Sequence, residues 1–443
     1  MRYLISLTLF ASSVPALTQT PPAPVPAAPV AAASPALIQR TNEVVAVLNG
    51  EGDLAATFAP EFLAQVPPAA MRQLSGQIAG QLGRALRIEQ LVPRDANSGS
   101  AVVAYERGKA RIRVAVGADG KIAGLLISGI EPAASAALTS IDAVAGEFRK
   151  LPGRAAFVVE SLDRAPARGA PTAAQVAPDS ALAIGSSFKL VILAELVRQI
   201  DAHQRTWDDV VTLDGHELPG GGYTQKPAGT RVPLRELAEA MIKVSDNSAT
   251  DLLLFTLGRE RIEAMAAQLG WRSPLDRPFL GTMEAFKLKG VGGGALGTRY
   301  LAANLAGKRR LLAGDVAAAP GSAIGSLFAD GKPVRIDTLE WFASPRELVG
   351  TMRWFKDHAT PAGVEARRIL AINAGPLAGM ADTFSYIGYK GGSEPGVISM
   401  TLLLHDKAGQ WTALSAGWNN PAAAVDELIF TALVRRAAQL VAQ

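Results

Sequence analysis

From Phe188 to Ala194 the chain reads FKLVILA, and every residue of that run except Lys189 is apolar. A helix with so little polar surface has no face to give to water, so it must lie inside a layered domain, buried on most sides. Its one amine must then find a partner, reach water or lose its proton. Burial disfavours the charged form and lowers a lysine pKa by as much as about three to five units, so Lys189 is a candidate proton acceptor near neutral pH. Ser186 stands three residues earlier, on the same face one turn away. It also opens the helix, where unpaired N–H groups and the dipole favour developing negative charge. Ser187 faces elsewhere. Ser186 is therefore the candidate nucleophile and Lys189 its base. The spacing alone is weak, since S-x-x-K arises somewhat less than about once by chance in such a chain, and an N-cap serine before a packed lysine gives the same string.

A second element, Ser245-Asp246-Asn247 in EAMIKVSDNSATDLLLF, has a chance expectation on the order of 0.02. It falls between two helices. A hydroxyl at Ser245 can pass a proton between Lys189 and a leaving nitrogen, and the Asn247 amide can hold a substrate amide. The same stretch offers a capping box from Ser248 to Asp251, which is compatible with catalysis. The third element is Lys390-Gly391-Gly392-Ser393, in FSYIGYKGGSEPGVISM. A lysine followed by glycines at a strand end lets a substrate backbone lie against the edge. The N–H groups of Ser393 and Ser186 form a candidate oxyanion hole, one such donor being worth roughly 2.7–4 kcal/mol in a transition state.

The three elements in this order resemble the S-x-x-K, S-D-N and K-T-G set of class A β-lactamases and penicillin-binding proteins, over residues 134 to 443. The 59 residues from Ser186 to Ser245 suit that family. LPGGGYTQKPAGT, WFASPRELVGTM and YKGGSEPGV are similar to stretches of two-domain, β-lactamase-like hydrolases related to a protein of clavulanic-acid biosynthesis. The resemblance implies acylation of Ser186, Lys189 or a water as base, Ser245 as relay, substrate contact at Asn247, Gly392 and Ser393, and recognition of a substrate carboxylate by Lys390. Three features depart from the pattern. Gly391 replaces the middle hydroxyl that helps hold a β-lactam carboxylate, and Glu394 adds negative charge nearby. The E-x-x-L-N loop of class A enzymes is missing, leaving Glu284 as a weak candidate for the deacylating base. The 145 residues from Ser245 to Lys390 exceed the class A spacing and imply an insertion around 305 to 345.

The rest of the chain frames this unit. Residues 1–18 carry Arg2, a short apolar stretch and the small-residue site Val14-Pro15-Ala16, the pattern of a secretory signal peptide; a periplasmic or secreted protein is expected, with no membrane span once mature. A Pro/Ala-rich linker follows over 19–36. Residues 37–133 read as a small α+β domain: helical spacing at Leu37, Val44, Val45 and Leu48, then KARIRVAVG, where Ile112, Val114 and Val116 alternate with outward residues. Helices before an antiparallel meander resemble NTF2-like, steroid-isomerase-like domains, a likeness of shape that supports packing or docking. Residues 134–443 read as one α/β (α+β) unit, a serine β-lactamase-like domain with a central antiparallel sheet and a helical subdomain. It starts with a helix over 137–150 and the strand RAAFVVESL, and it ends with GVISMTLLLH, WTALSAGW and a last helix. Strands at both ends with helices between imply that the ends of the unit share one sheet.

The chain has no cysteine, which excludes thiol nucleophiles and thiolate metal sites, and its four histidines stand singly. No cofactor and no metal are expected. Basic runs are short and uninterleaved with aromatics, at a net charge of +4, which argues against nucleic acid. Gly292, Gly294 and Gly297 fit G-x-G-x-x-G but follow no strand. The expected function is acyl transfer to water from a small-molecule β-lactam, ester or peptidoglycan-like substrate. A D,D-peptidase, a small-ester esterase and a non-catalytic binding protein that retains the site are the alternatives.

Overall fold

The computed structural model describes residues 32–163 and 174–442. The expected signal peptide and most of the linker lie outside them. The first helix, Pro35–Leu48, begins inside the stretch read as linker, because Ser34 accepts a hydrogen bond from the Leu37 N–H (3.1 Å) and Pro35 fills the first helical position, where its missing N–H costs nothing. Strands β1 (Ala85–Asp95), β2 (Ser98–Tyr105), β3 (Gly108–Val116) and β4 (Ile122–Pro132) follow as an antiparallel meander in chain order. In β3 the side chains of Ile112, Val114 and Val116 are buried, while Arg111 and Arg113 point away. They close a core with Leu37, Val44, Ile78 and Leu82 from the helices and with Phe58, which bridges to Ile122.

The larger sheet is antiparallel and has the order β11 (Phe384–Glu394), β12 (Val397–Asp406), β13 (Trp411–Asn419), β5 (Arg154–Ser161) and β6 (Gln175–Val176). Chain order adds four short strands, in two pairs, between β6 and β11. These are β7 (Leu182–Ala183), which pairs with β10 (Phe342–Ala343), and the ribbon of β8 (Val210–Thr212) with β9 (Arg231–Pro233). Strand β5 runs beside β13 from Arg154 opposite Asn419 to Ser161 opposite Thr412, so the two ends of the unit do meet in one sheet. Alternation along β12 feeds two cores at once. Leu402 and Leu404 pack with Phe157, Phe148 and Phe430, whereas Leu403 packs with Val158, Val191 and Met352 on the helical side. The helix expected over 137–150 is shorter, Ile141–Phe148, because Ser140 caps it through the Ala143 N–H (3.1 Å) and a separate turn, Ala133–Ala136, precedes it.

The apolar run is the central helix. Lys189–Asp201 buries ten side chains, including all of Lys189 to Val197. Its entry is a tight turn over Gly185–Phe188. There the Phe188 ring stacks on Trp341 with centroids 3.8 Å apart and meets Phe279 edge-on at 5.9 Å. Removing a ring packed this way costs about 3–5 kcal/mol. Trp341 adjoins β10, so the insertion expected around 305 to 345 ends as part of this scaffold; its earlier part is a helix, Leu305–Leu311, running into a wider turn, Leu312–Val316. The two units touch where Gln81 Nε2 donates to Asp426 Oδ1 (2.6 Å), the capping residue of the last helix, Glu427–Val441. No helix among the described residues is long and apolar enough to cross a membrane.

Candidate active site

Four separate chain segments bring the candidate residues to one cleft. Its volume is about 470 Å³, and its walls include Ser186, Ser245, Asn247, Lys390, Gly392 and Ser393. Ser186 sits half-exposed in the turn that opens the central helix, with the buried Lys189 one turn below it. Ser187 is fully buried and meets Ser399 Oγ at 3.2 Å, so it is not the residue that faces the cleft. Ser245 lies in the break between the Leu234–Lys243 and Asn247–Leu257 helices, with a φ of +58°. A serine in that left-handed region costs about 1 kcal/mol or more, and such strain collects at functional sites.

Asp246, not Ser248, caps the helix that follows. Its Oδ1 accepts from the Ala249 N–H (2.8 Å) and from Ser248 Oγ (2.6 Å), and its Oδ2 accepts from the Gly222 N–H (2.5 Å). The expected box from Ser248 to Asp251 does not form because Asp251 is used elsewhere. Its carboxylate accepts from the N–H groups of Thr282 (2.6 Å) and Met283 (3.0 Å), joining this helix to the start of Thr282–Gly290. Burial pushes the Asp251 carboxyl up to about 6.

Ser245 Oγ is the hub of the polar network. It accepts from Lys189 Nζ at 3.1 Å and from Lys390 Nζ at 3.0 Å. Lys189 Nζ also donates to Ser245 O (2.6 Å) and Asn247 Oδ1 (2.8 Å). Among the described residues its partners are these and not the Ser186 hydroxyl. The direct serine–lysine pair expected from spacing is thus replaced by a serine above and a lysine turned toward Ser245, since three acceptors converge there. Burial lowers the Lys189 pKa to about 7 against the opposing pull of Asp251 and Asp246. Burial, and then the nearness of Lys189, hold Lys390 well below the ordinary lysine value. With both lone-pair sites of Ser245 Oγ engaged by amines, its own O–H is left to point at a third group.

The two segments that carry the N–H groups nominated as oxyanion donors pack closely against each other. The Gly185–Ser186 turn comes so close to Gly392–Ser393 of edge strand β11 that a side chain at Gly392 would strike the Ser186 N–H and the Ile184 carbonyl, and one at Gly185 would reach the Ser393 N–H. Only glycine permits that approach, and Gly185 also has a φ of +47°. The turn is held from behind by Asn419. Its Oδ1 accepts from the Ala183 N–H (2.7 Å) and its Nδ2 donates to the Ala183 carbonyl (2.9 Å).

Other sequence expectations come out differently. Glu284 does not line this cleft. It reaches back to the Gly281 N–H (2.8 Å) and forks onto Arg259 (2.7 and 2.9 Å) in a neighbouring cavity, so it is held as a helix-start anchor rather than as a base beside Ser186. Glu394 does not leave a free charge near Lys390. It lies against the buried amine of Lys289 (2.7 Å), which Glu340 also contacts. Gly292 to Gly294 form a turn after a helix, with no strand before them. No cluster of histidine and carboxylate side chains among the described residues is suited to hold a metal. Sequence reasoning passed over Tyr389 and Glu427, which line the cleft. Period-two alternation along β11 was the available signal for Tyr389, because it puts residues 389 and 391 on one face.

Residues 139–308 match the family model described as "Beta-lactamase enzyme family". No curated protein matches the chain. Among solved structures, a β-lactamase from Sphaerobacter thermophilus DSM 20745 is 17% identical, with 68% of this chain and 96% of that one covered and a TM-score of 0.48. PBP-A is 16% identical over 68% of this chain and 94% of its own, with a TM-score of 0.46. A β-lactamase from Chitinophaga pinensis DSM 2588 is 18% identical over 68% and 96%, with a TM-score of 0.45. The matched stretch carries Ser186, Lys189, Ser245 and Asn247, two of the three motifs whose residues converge in the cleft, so this part of the chain is similar to the β-lactamase enzyme family.

Proposed function

We propose that the protein hydrolyses an ester or amide by acyl transfer through Ser186. The observation that carries this is the position of Ser245 Oγ between two buried amines, 3.1 Å from Lys189 and 3.0 Å from Lys390. Ser186 Oγ attacks the carbonyl, and the oxyanion forms against the N–H groups of Ser186 and Ser393. The Ser186 proton passes to Lys189, whose pKa of about 7 leaves much of it neutral at that pH. As the Ser245 hydroxyl gives its proton to the leaving group it takes the one that Lys189 received, 3.1 Å away, so both groups return to their starting state. Asn247 keeps its Nδ2 for the substrate while its Oδ1 holds Lys189. Water then releases the acid and restores Ser186.

Because Glu284 is locked onto Arg259, a β-lactam is expected to acylate Ser186 and stay, so the substrate we favour is an ester or a peptidoglycan-like amide. Export by the signal peptide of residues 1–18, to the periplasm or beyond, belongs to the same reading, as does a packing or docking role for an NTF2-like domain over 37–133. A fluorophosphonate probe followed by intact mass tests the nucleophile. Wild type should gain one adduct and Ser186→Ala none; equal labelling of both, or of neither, refutes the mechanism and favours a non-catalytic binding protein. Intact mass after penicillin then separates a lasting adduct from rapid turnover.

A further inference from the structure

We propose that Tyr389 is a substrate-contacting residue of this cleft, whose phenol O–H donates to a carboxylate or carbonyl oxygen flanking the carbonyl that Ser186 attacks. The inference rests on the acyl-transfer reading and adds to it a determinant of which substrates are accepted.

Its ground is the shape of the slot that holds the ring. Strand β11 turns Lys390 toward Ser245 and therefore sends Tyr389 to the opposite face. Two glycines leave room for the ring there. A side chain at Gly375 would run into the Tyr389 ring, and one at Gly391 would strike the phenol oxygen. The hydroxyl thus fills the space that a side chain at 391 would occupy, carried in from two residues earlier on the same face. Because Gly391 and Gly392 raise no wall, the cleft runs across the strand edge, and Tyr389 lines it together with Ser186, Ser245 and Lys390. The ring is half-buried, and its oxygen makes no hydrogen bond among the described residues without being one of the fully enclosed unpaired oxygens. A phenylalanine would pack the same slot without an unpartnered donor. Burial, with Glu427 adding to it, raises the phenol pKa, so the group stays protonated across the working range and can only donate. A rigid donor already in place needs no ordering when substrate arrives.

The test compares wild type with Tyr389→Phe, which keeps the packed ring, by the rate at which Ser186 is acylated. Three probes are used: a fluorophosphonate with no flanking acceptor, benzylpenicillin with a carboxylate, and its methyl ester with a carbonyl alone. A hydrogen bond to a charged acceptor corresponds to roughly ten- to a hundred-fold in rate. The variant should therefore lose that much with benzylpenicillin while fluorophosphonate labelling stays within about two-fold. Loss with the acid alone identifies an anionic acceptor, and loss with both β-lactams a carbonyl. If fluorophosphonate leaves wild-type Ser186 untouched, the acyl-transfer reading falls and Tyr389 with it. If fluorophosphonate labels Ser186 but both β-lactams acylate wild type and variant equally, or acylate neither, the assignment of Tyr389 alone is overturned.

Discussion

Lysine amines sealed inside this molecule occupy two opposite situations. In the cleft, Lys189 and Lys390 share Ser245 Oγ and among the described residues touch no carboxylate, and burial drives both toward the neutral form. At the far end of β11, Lys289 is as deeply buried but lies against Glu340 and Glu394; there the two carboxylates outweigh burial, and its pKa is raised. Burial is therefore not what makes an amine a base. The oxygens around it decide: hydroxyl and amide acceptors tolerate a neutral amine, whereas carboxylates demand a cation. In the proposed mechanism the first cluster moves a proton, whereas the second ties Glu394, at the end of β11, to Lys289 and Glu340.

Substitutions can separate the two. Lys189→Met should lower the acylation rate of Ser186 by about 10²–10⁴-fold, the usual worth of a positioned base, while thermal stability holds or rises. A melt that collapses alongside the rate would make Lys189 structural and erase the contrast. Lys289→Met should do the reverse. It strands Glu340 and Glu394 in the interior and should cost about 3–5 kcal/mol, measurable in urea, with acylation of the folded fraction little changed.

The pH profile sharpens the contrast further. If neutral Lys189 is the base, kcat/KM rises about tenfold per pH unit below 7 and levels off above it. Stability follows the same group with a definite sign. The folded pKa lies below the unfolded value of 10.5, so the unfolded chain binds more protons between about 7 and 10.5, and this group makes stability rise with pH across that window. A rate that falls through pH 7 would assign Lys189 the charged role that Lys289 has. The smallest effect belongs to Glu284→Gln, expected to cost about 1–3 kcal/mol by leaving Arg259 unpaired, with acyl-enzyme lifetime unchanged; a lengthened lifetime would restore Glu284 as the deacylating base.

The sequence was most legible where one residue broke a pattern. A single lysine in FKLVILA announced both the central helix and its unusual amine, and the alternation in KARIRVAVG gave the inward face of β3. Spacing was less informative about contacts. It put Ser186 and Lys189 on one helical face, but the amine's partner was decided by Ser245 and Asn247, more than fifty residues away. Capping signals misled for a related reason. Asp246 and Ser248 both suit a helix start, and only the approach of the Gly222 loop and of the Thr282 helix selects Asp246 and frees Asp251. The ion pair of Glu284 with Arg259 and the slot around Tyr389 depend on residues distant in sequence, and no local rule exposes them.

The adjacency of β5 and β13 has a consequence for the order in which the protein comes into being. About 250 residues separate the two strands. At roughly 5–20 residues per second of synthesis, the first waits on the order of ten seconds to nearly a minute for its permanent neighbour. Until then Ala156, Phe157, Val158 and Val159 have only the two residues of β6 beside them. A nascent chain that shows such a greasy edge for so long is a client for holding factors, and a ribosome that stops short of Trp411 leaves a product unable to complete its sheet.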